Sequence, residues 1–290
     1  MRLAFLGTPG AAVPALRALV DARHDVALVI TRPDRRRGRG AELSPSPVKA
    51  AAENLGLRVS HRLADLEDLD VERGVVVAYG AIIPAPLLQR VPMLNVHFSL
   101  LPRWRGAAPV ERAILAGDEE TGVTIISLEP TLDTGPVHLE RRVRVDEKSA
   151  DELTAELAVL GASALIEVLA TPELLENARV QDGDVTYAEK LTKETFHLTS
   201  EMSAALARRT VRLGGAYLFV AGKRVGVVSA HEAPEPLAPG VMARRGGDVV
   251  VGLATGAVAL DEIRPEGSKT MRASAWWSGR QYGDDTVEWS

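Results

Sequence analysis

Asn95 and His97 stand two residues apart in the apolar run Leu94-Asn-Val-His-Phe98, and Asp133 follows in the loop Glu129-Pro-Thr-Leu-Asp-Thr-Gly135. If residues 94–98 form a strand, Asn95 and His97 project from the same face near its carboxyl end. An amide N–H donates to a developing oxyanion, an imidazole titrates near neutrality, and a carboxylate orients and charges the imidazole. Together they suit acyl transfer without a covalent enzyme intermediate, because no activated Ser is evident and the chain has no Cys. Spacing alone leaves a turn Asn and a structural His as an equal competitor.

Two other stretches carry chemistry. Arg32-Pro-Asp-Arg-Arg-Arg-Gly-Arg39 places five Arg and one Asp in eight residues of a chain whose formal net charge is −5. It lies on the loop leaving the second apolar strand, and ligands gather at the carboxyl edge of parallel strands. Arg forks suit phosphate and the edge of guanine, so a phosphate-rich partner is expected there rather than a merely solvated loop. Gly7-Thr-Pro-Gly10 turns the first strand into a helix, where free N–H groups can hold an anion. It lacks the G-x-G-x-x-G spacing and a following acidic residue, so it reads as a tight turn and not as a dinucleotide site.

The elements that must position these groups follow from periodicity. Leu3–Leu6, Val26–Ile30, Val75–Tyr79 and Leu94–Phe98 are short, almost purely apolar strands. Helical patterns over 13–20 and 48–55 separate them, which indicates an α/β fold with an open, mostly parallel, Rossmann-like sheet covered on both faces. Thr121–Leu128 and Val137–Val145 read as adjoining strands, and the capping box Ser149-Ala-Asp-Glu152 opens a helix to about Leu169. Beyond Tyr187-Ala-Glu-Lys190 the pattern becomes a short helix near 202–209 and strands at 216–220, 223–229, 248–254 and 257–263. The reading is therefore a catalytic domain over 1–187, a linker over 188–199 and a smaller C-terminal β-barrel domain, OB-like, over 200–290.

With 290 residues, 46% hydrophobic and 25% charged, the chain has ample core and is not disordered as a whole. The absence of Cys removes disulfides, thiolate nucleophiles and Cys-based zinc sites, and points to an intracellular protein. Gly7, Pro9, Gly10 and Pro14 interrupt the N-terminal apolar run too early for a signal-peptide core, and no stretch elsewhere reads as a membrane span. A cytoplasmic protein that engages no membrane is expected.

Asn95-Val-His97, Ser99-Leu-Leu-Pro-Arg-Trp-Arg-Gly-Ala-Ala-Pro109, Gly117-Asp, Thr121-Gly-Val-Thr124 and Leu132-Asp-Thr-Gly135 closely resemble the methionyl-tRNA formyltransferase family. Gly7-Thr-Pro, Arg32-Pro-Asp, Gly38-Arg-Gly40, Ser44-Pro-Ser-Pro-Val-Lys49, Val77-Ala-Tyr-Gly80 and Tyr187-Ala-Glu-Lys-Leu extend the likeness over nearly the whole chain. The Asn-x-His…Asp trio is common to folate-dependent formyltransferases. The Ser99–Pro109 run and the Arg-rich stretch narrow it to the tRNA enzymes.

The resemblance implies the formyltransferase fold and transfer of a formyl group from 10-formyltetrahydrofolate to the α-amine of methionyl initiator tRNA. It implies that Asn95 and His97 stabilise the oxyanion, that His97 also assists proton removal, and that Asp133 holds His97 within hydrogen-bond reach. It further implies that Ser99, Leu100, Leu101 and Pro102 line the folate site. Arg32, Arg35, Arg36, Arg37 and Arg39 would contact the tRNA, with Arg39 the principal acceptor-stem arginine and the barrel adding surface charge. No metal is implied, and a monomer is expected. Phe98 departs from the family pattern, as does Thr210–Tyr217, which lacks the usual aromatic and Pro residues. The competing readings are a formyltransferase acting on an amino sugar nucleotide and a non-catalytic RNA-binding module.

Overall fold

The computed structural model describes residues 1–37, 42–279 and 286–290. Contacts gather the chain into two compact units, one of Met1–Val110, Glu119–Val145 and Glu152–Glu189, the other of Glu111–Asp118, Asp146–Asp151 and Lys190–Ser290. In chain order the first elements are β1 (Arg2–Gly7), α1 (Val13–Asp21), β2 (Asp25–Ile30), β3 (Arg35–Arg37), β4 (Glu42–Ser44), α2 (Pro47–Asn54) and β5 (Val59–Ser60). Then come β6 (Arg73–Val77), α3 (Ala85–Arg90), β7 (Met93–His97), β8 (Arg105–Gly106), α4 (Pro109–Ala116), β9 (Glu120–Ser127), β10 (Val137–Arg144), α5 (Ala150–Ala170), α6 (Pro172–Glu176) and β11 (Tyr187–Ala188).

Seven strands form the main sheet in the order β10-β9-β7-β6-β1-β2-β5. The five strands from β7 to β5 are parallel, whereas β9 runs antiparallel to both β7 and β10. The apolar runs read from the sequence are thus the parallel core, and the pair 121–128 and 137–145 extends it in the other sense. Every residue of β7 is buried, as a central strand covered on both faces must be. One face packs Ala4, Leu6, Leu28, Ile30, Val76 and Met93 into a single cluster. Burial of each of Leu6, Leu28 and Ile30, all fully inaccessible, contributes about 1.5–3 kcal/mol relative to exposure.

On the other face Val96 approaches Gly161 of α5, and the Phe98 ring lies beside the same glycine. The strand ends at His97, so Phe98 is the first residue beyond it, turned towards α5 and away from the side that carries Asn95 and His97. A Cβ at Gly161 would press into the Val96 side chain. Gly161→Leu is therefore expected to lower stability by about 1–3 kcal/mol through overpacking, read as a lower denaturant midpoint at unchanged m-value.

Two expectations need correction. The segment Arg32–Arg39 is not a plain loop: Arg35–Arg37 pairs antiparallel with Glu42–Ser44. A three-residue ladder of Arg35–Arg37 against Glu42–Ser44, flanked by Pro and Gly, carries no hydrophobic alternation from which a strand could be read. Among the described residues one helix, α5, is long and apolar enough to cross a membrane. Half of its apolar window is buried within the fold, with Leu153, Leu157, Leu165 and Val168 fully inaccessible, which is how a core helix looks. Finally α3, which follows Pro84 and includes Pro86, was not anticipated.

The second unit contains α7 (Ala204–Arg212), β12 (Tyr217–Val220), β13 (Lys223–Glu232), β14 (Val241–Arg245), β15 (Asp248–Gly252), β16 (Ala257–Pro265), β17 (Met271–Arg272), α8 (Ala273–Ser278) and β18 (Thr286–Glu288). Its strands run in the order β12-β13-β16-β15-β14-β18, all antiparallel, with β17 against β16. Phe219 and Ser290 exchange backbone hydrogen bonds in both directions, and Val220 bridges Trp289, so the end of the chain returns to β12 and closes the barrel. Leu218, Val225, Val251, Leu260 and Trp276 lie in its core. Strands β14, β17 and β18 were missed by the sequence reading, being short and flanked by charge.

Candidate active site

At the carboxyl end of β7 the side chains of Asn95 and His97 are 8% and 6% exposed, which leaves them as polar groups inside an apolar wall. The Asn95 amide has no hydrogen-bond partner among the described residues. His97 Nε2 lies 2.9 Å from the Trp104 carbonyl oxygen. A carbonyl can only accept, so the partner assigns the proton to Nε2, which donates. His97 Nδ1 then faces Asp133 Oδ2 at 3.8 Å. That is ion-pair distance but not a hydrogen bond, so the expectation of hydrogen-bond reach is relaxed to charge proximity.

Asp133 sits on the loop between β9 and β10 with φ +51°, a left-handed conformation that Asp tolerates better than most residues. Its Oδ2 accepts from Gly106 N at 2.8 Å. Gly106 has φ +125°, and a Cβ there would strike the Ala188 carbonyl, so glycine is required for its N–H to reach the carboxylate. The base of the loop is held by Ser127 and His138: His138 Nε2 accepts from the Ser127 hydroxyl at 2.9 Å while Nδ1 donates to the Leu174 carbonyl at 2.8 Å. Burial lowers the His138 pKa, which favours the neutral ring this pairing needs.

The turn after β7 is satisfied from within. Ser99 is fully buried; its hydroxyl donates to the Arg103 carbonyl at 2.6 Å, and its own carbonyl accepts from Thr124 Oγ1 at 2.7 Å. Leu101 N donates to the same Thr124 oxygen at 3.2 Å. Leu101 and Pro102 are buried and Leu100 is half-exposed. Residues 103–108 are in turn held by the returning segment 181–188. Trp104 N donates to Thr186 Oγ1 at 2.9 Å, and Ala107 N donates to the Ala188 carbonyl at 2.8 Å. Gln181 bridges Arg105 to the Asp133 loop.

In this sheet the strand order reverses between β1 and β6, the position at which open α/β sheets bind ligands. A cavity of about 240 Å³ opens there, lined by Thr8, Arg32, Arg35, Ser46, Tyr79 and Gly80 among others. Thr8 Oγ1 donates to the Tyr79 carbonyl at 3.0 Å and joins the turns that follow the two strands. Burial raises the Tyr79 pKa, against a smaller opposing pull from Arg32, so the hydroxyl stays protonated. Below the β3–β4 hairpin, Lys49 Nζ donates to Asp34 Oδ2 at 2.7 Å, and this bond raises the lysine pKa. Ser46 caps α2 by accepting from Lys49 N at 3.0 Å.

Residues 1–169 match the Formyl transferase family and residues 190–281 match Formyl transferase, C-terminal domain. A methionyl-tRNA formyltransferase of Novosphingobium aromaticivorans is 43% identical, the alignment covering 97% of each chain, and that of Heliobacterium modesticaldum is 41% identical over 98% of each. The chain belongs to the methionyl-tRNA formyltransferase family. Among solved structures, HypX from Aquifex aeolicus in complex with tetrahydrofolic acid shares the fold, with a TM-score of 0.65 at 20% identity. That alignment covers 98% of this chain and 48% of HypX.

Of the residues singled out in the sequence, the structure brings His97 and Asp133 together and places Asn95 on the same strand face as His97. Ser99–Pro102 adjoin them directly. Arg32 and Arg35 line the cavity at the neighbouring strand ends, and Arg36 is exposed on the hairpin. The side chain of Arg37 and the whole of Arg39 lie outside the described residues. The sequence reading passed over Arg105, Gln181 and Thr186. Tyr187-Ala-Glu-Lys190, quoted there as a family mark, was the one signal that this part of the chain returns to the site.

Proposed function

We propose that the chain transfers a formyl group from 10-formyltetrahydrofolate to the α-amine of methionyl initiator tRNA, giving formylmethionyl-tRNA for translation initiation in the cytoplasm. The observation that carries this reading is the buried cluster of Asn95, His97 and Asp133 at one strand end, in a chain 41–43% identical along its length to methionyl-tRNA formyltransferases.

The folate supplies the formyl carbon. Attack of the amine on that carbon moves charge onto the formyl oxygen and leaves a proton in excess on the attacking nitrogen. The Asn95 amide, without a partner among the described residues, donates to that oxygen. His97, with Nε2–H fixed on the Trp104 carbonyl, keeps Nδ1 as its proton acceptor. Nδ1 faces Asp133, so a proton taken there is held beside a carboxylate. The bond from the formyl carbon to the folate nitrogen then breaks, and that nitrogen recovers a proton. Ser99–Pro102 form the wall against which the folate lies, through backbone and the Leu100 side chain, since the Ser99 hydroxyl is committed to Arg103.

The hairpin arginines and the barrel serve the tRNA, whose phosphates they meet as cations. Arg35→Ala is expected to weaken tRNA binding and to reduce the slope of log K against log salt by about 0.7–0.9, one phosphate contact, in binding titrations over a salt series. The same expectation applies to Arg39. An unchanged slope assigns the arginine to solvent. The deciding experiment is transfer of radiolabelled formyl from 10-formyltetrahydrofolate to methionyl initiator tRNA, run beside amino sugar nucleotides; label in the sugar and none in the tRNA overturns the proposal.

A further inference from the structure

We infer that Gln181 is a positioning residue, fixing Asp133 relative to His97 by clamping the Asp133 loop to the turn that holds the imidazole. The inference rests on the roles proposed above for His97 and Asp133. The Gln181 amide makes four hydrogen bonds within the first unit. Its Oε1 accepts from Arg105 Nε at 3.1 Å and from Arg105 Nη2 at 2.7 Å. Its Nε2 donates to the Asp133 carbonyl at 2.7 Å and to the Gly135 carbonyl at 2.9 Å.

The orientation of this amide is not ambiguous. A guanidinium has only donors and a carbonyl only accepts, so a flipped amide would set N–H against N–H at one end and oxygen against oxygen at the other. Both donors and the oxygen are thereby used, and the side chain has one pose.

What the clamp joins explains why it acts on the site. Arg105 lies between Trp104, whose carbonyl receives His97 Nε2–H, and Gly106, whose N–H is received by Asp133 Oδ2. The carbonyls at the other end belong to Asp133 itself and to Gly135. A Cβ on Gly135 would collide with the Ser127 carbonyl, so the loop already runs tightly against β9 there. Asp133 holds a positive φ that its own backbone does not favour, and the surrounding bonds must maintain it. Gln181 supplies two of those contacts from one rigid plane. Its Arg105 end ties them to the strip of backbone that orients His97. The 3.8 Å spacing between imidazole and carboxylate is thus set by a residue that need touch neither substrate.

The test is a double-mutant cycle on the full chain. Gln181→Leu is expected to lower kcat about 10-fold or more, with KM for folate and for tRNA changing less than about threefold, since displacement of an oriented group costs rate more than binding. Gln181→Glu keeps the Arg105 contact but turns oxygen towards two carbonyl oxygens, and it serves as the second variant if Gln181→Leu folds poorly; the same loss of kcat is expected. In an Asp133→Asn background either substitution should change kcat less than about threefold, because residues acting through one another are not additive. An undiminished loss in that background, or no loss of kcat in the parent, overturns the positioning role while leaving the proposed function standing. If Asp133→Asn alone leaves kcat unchanged, the assignment of Asp133 fails, and this inference fails with it.

Discussion

Asn95→Ala is expected to lower kcat by about 10²-fold or more while folate binding changes little, the scale of losing one preorganised oxyanion donor. The side chain is 8% exposed, fixed on a fully buried strand, and has no competing hydrogen-bond partner among the described residues. Truncation therefore removes a donor from the site without breaking an internal network, and the fold should survive: Leu94, Val96 and their partners on β6 and β9 are untouched. The measurement is single-turnover formyl transfer beside equilibrium folate binding. Turnover like that of the parent excludes Asn95 as the donor, and equal loss of binding and rate assigns it to ground-state recognition instead.

Asp133→Asn is expected to lower kcat by about 10²–10³-fold, as removal of a charge that stabilises a proton acceptor does. The substitution is nearly isosteric, and the new side-chain oxygen can still accept from Gly106 N, so the loop keeps that bond. What disappears is the negative charge beside His97 Nδ1. Activity against pH separates this from misfolding: a lost proton-holding partner changes the shape of the kcat profile, whereas a misplaced loop lowers it uniformly. A profile of unaltered shape and height removes Asp133 from the reaction.

These groups were legible because each belongs to a pattern with a physical period. The Val and Leu runs of β1, β6 and β7 can be read as buried parallel strands, and Asn95 and His97 stand out as polar residues where burial is otherwise complete. Asp133 was legible as the carboxylate of a Pro-Gly-bounded loop after a strand. Gln181 was not legible, since it lies on irregular chain with neither helical nor alternating spacing, and its importance comes from four bonds to residues 46 to 76 positions away. The reversal of β9 was equally hidden, because apolar content announces a strand but not its direction. Phe98 looked anomalous in sequence; its place is against the bare backbone of Gly161 on the opposite side of the sheet, where ring volume fills what glycine leaves.

The segment 181–188 also separates the boundary of the scaffold from the boundary of the workshop. Every strand of the seven-stranded sheet is complete by Arg144 and its long helix by Ala170, yet the backbone of 104–108 leans on Thr186 and Ala188. During synthesis the sheet can be assembled while His97 and Asp133 still lack their frame. The frame around His97 and Asp133 closes only when a stretch with almost no secondary structure threads back past the strand ends, so the last part of this unit to be made is the part that completes the proposed site.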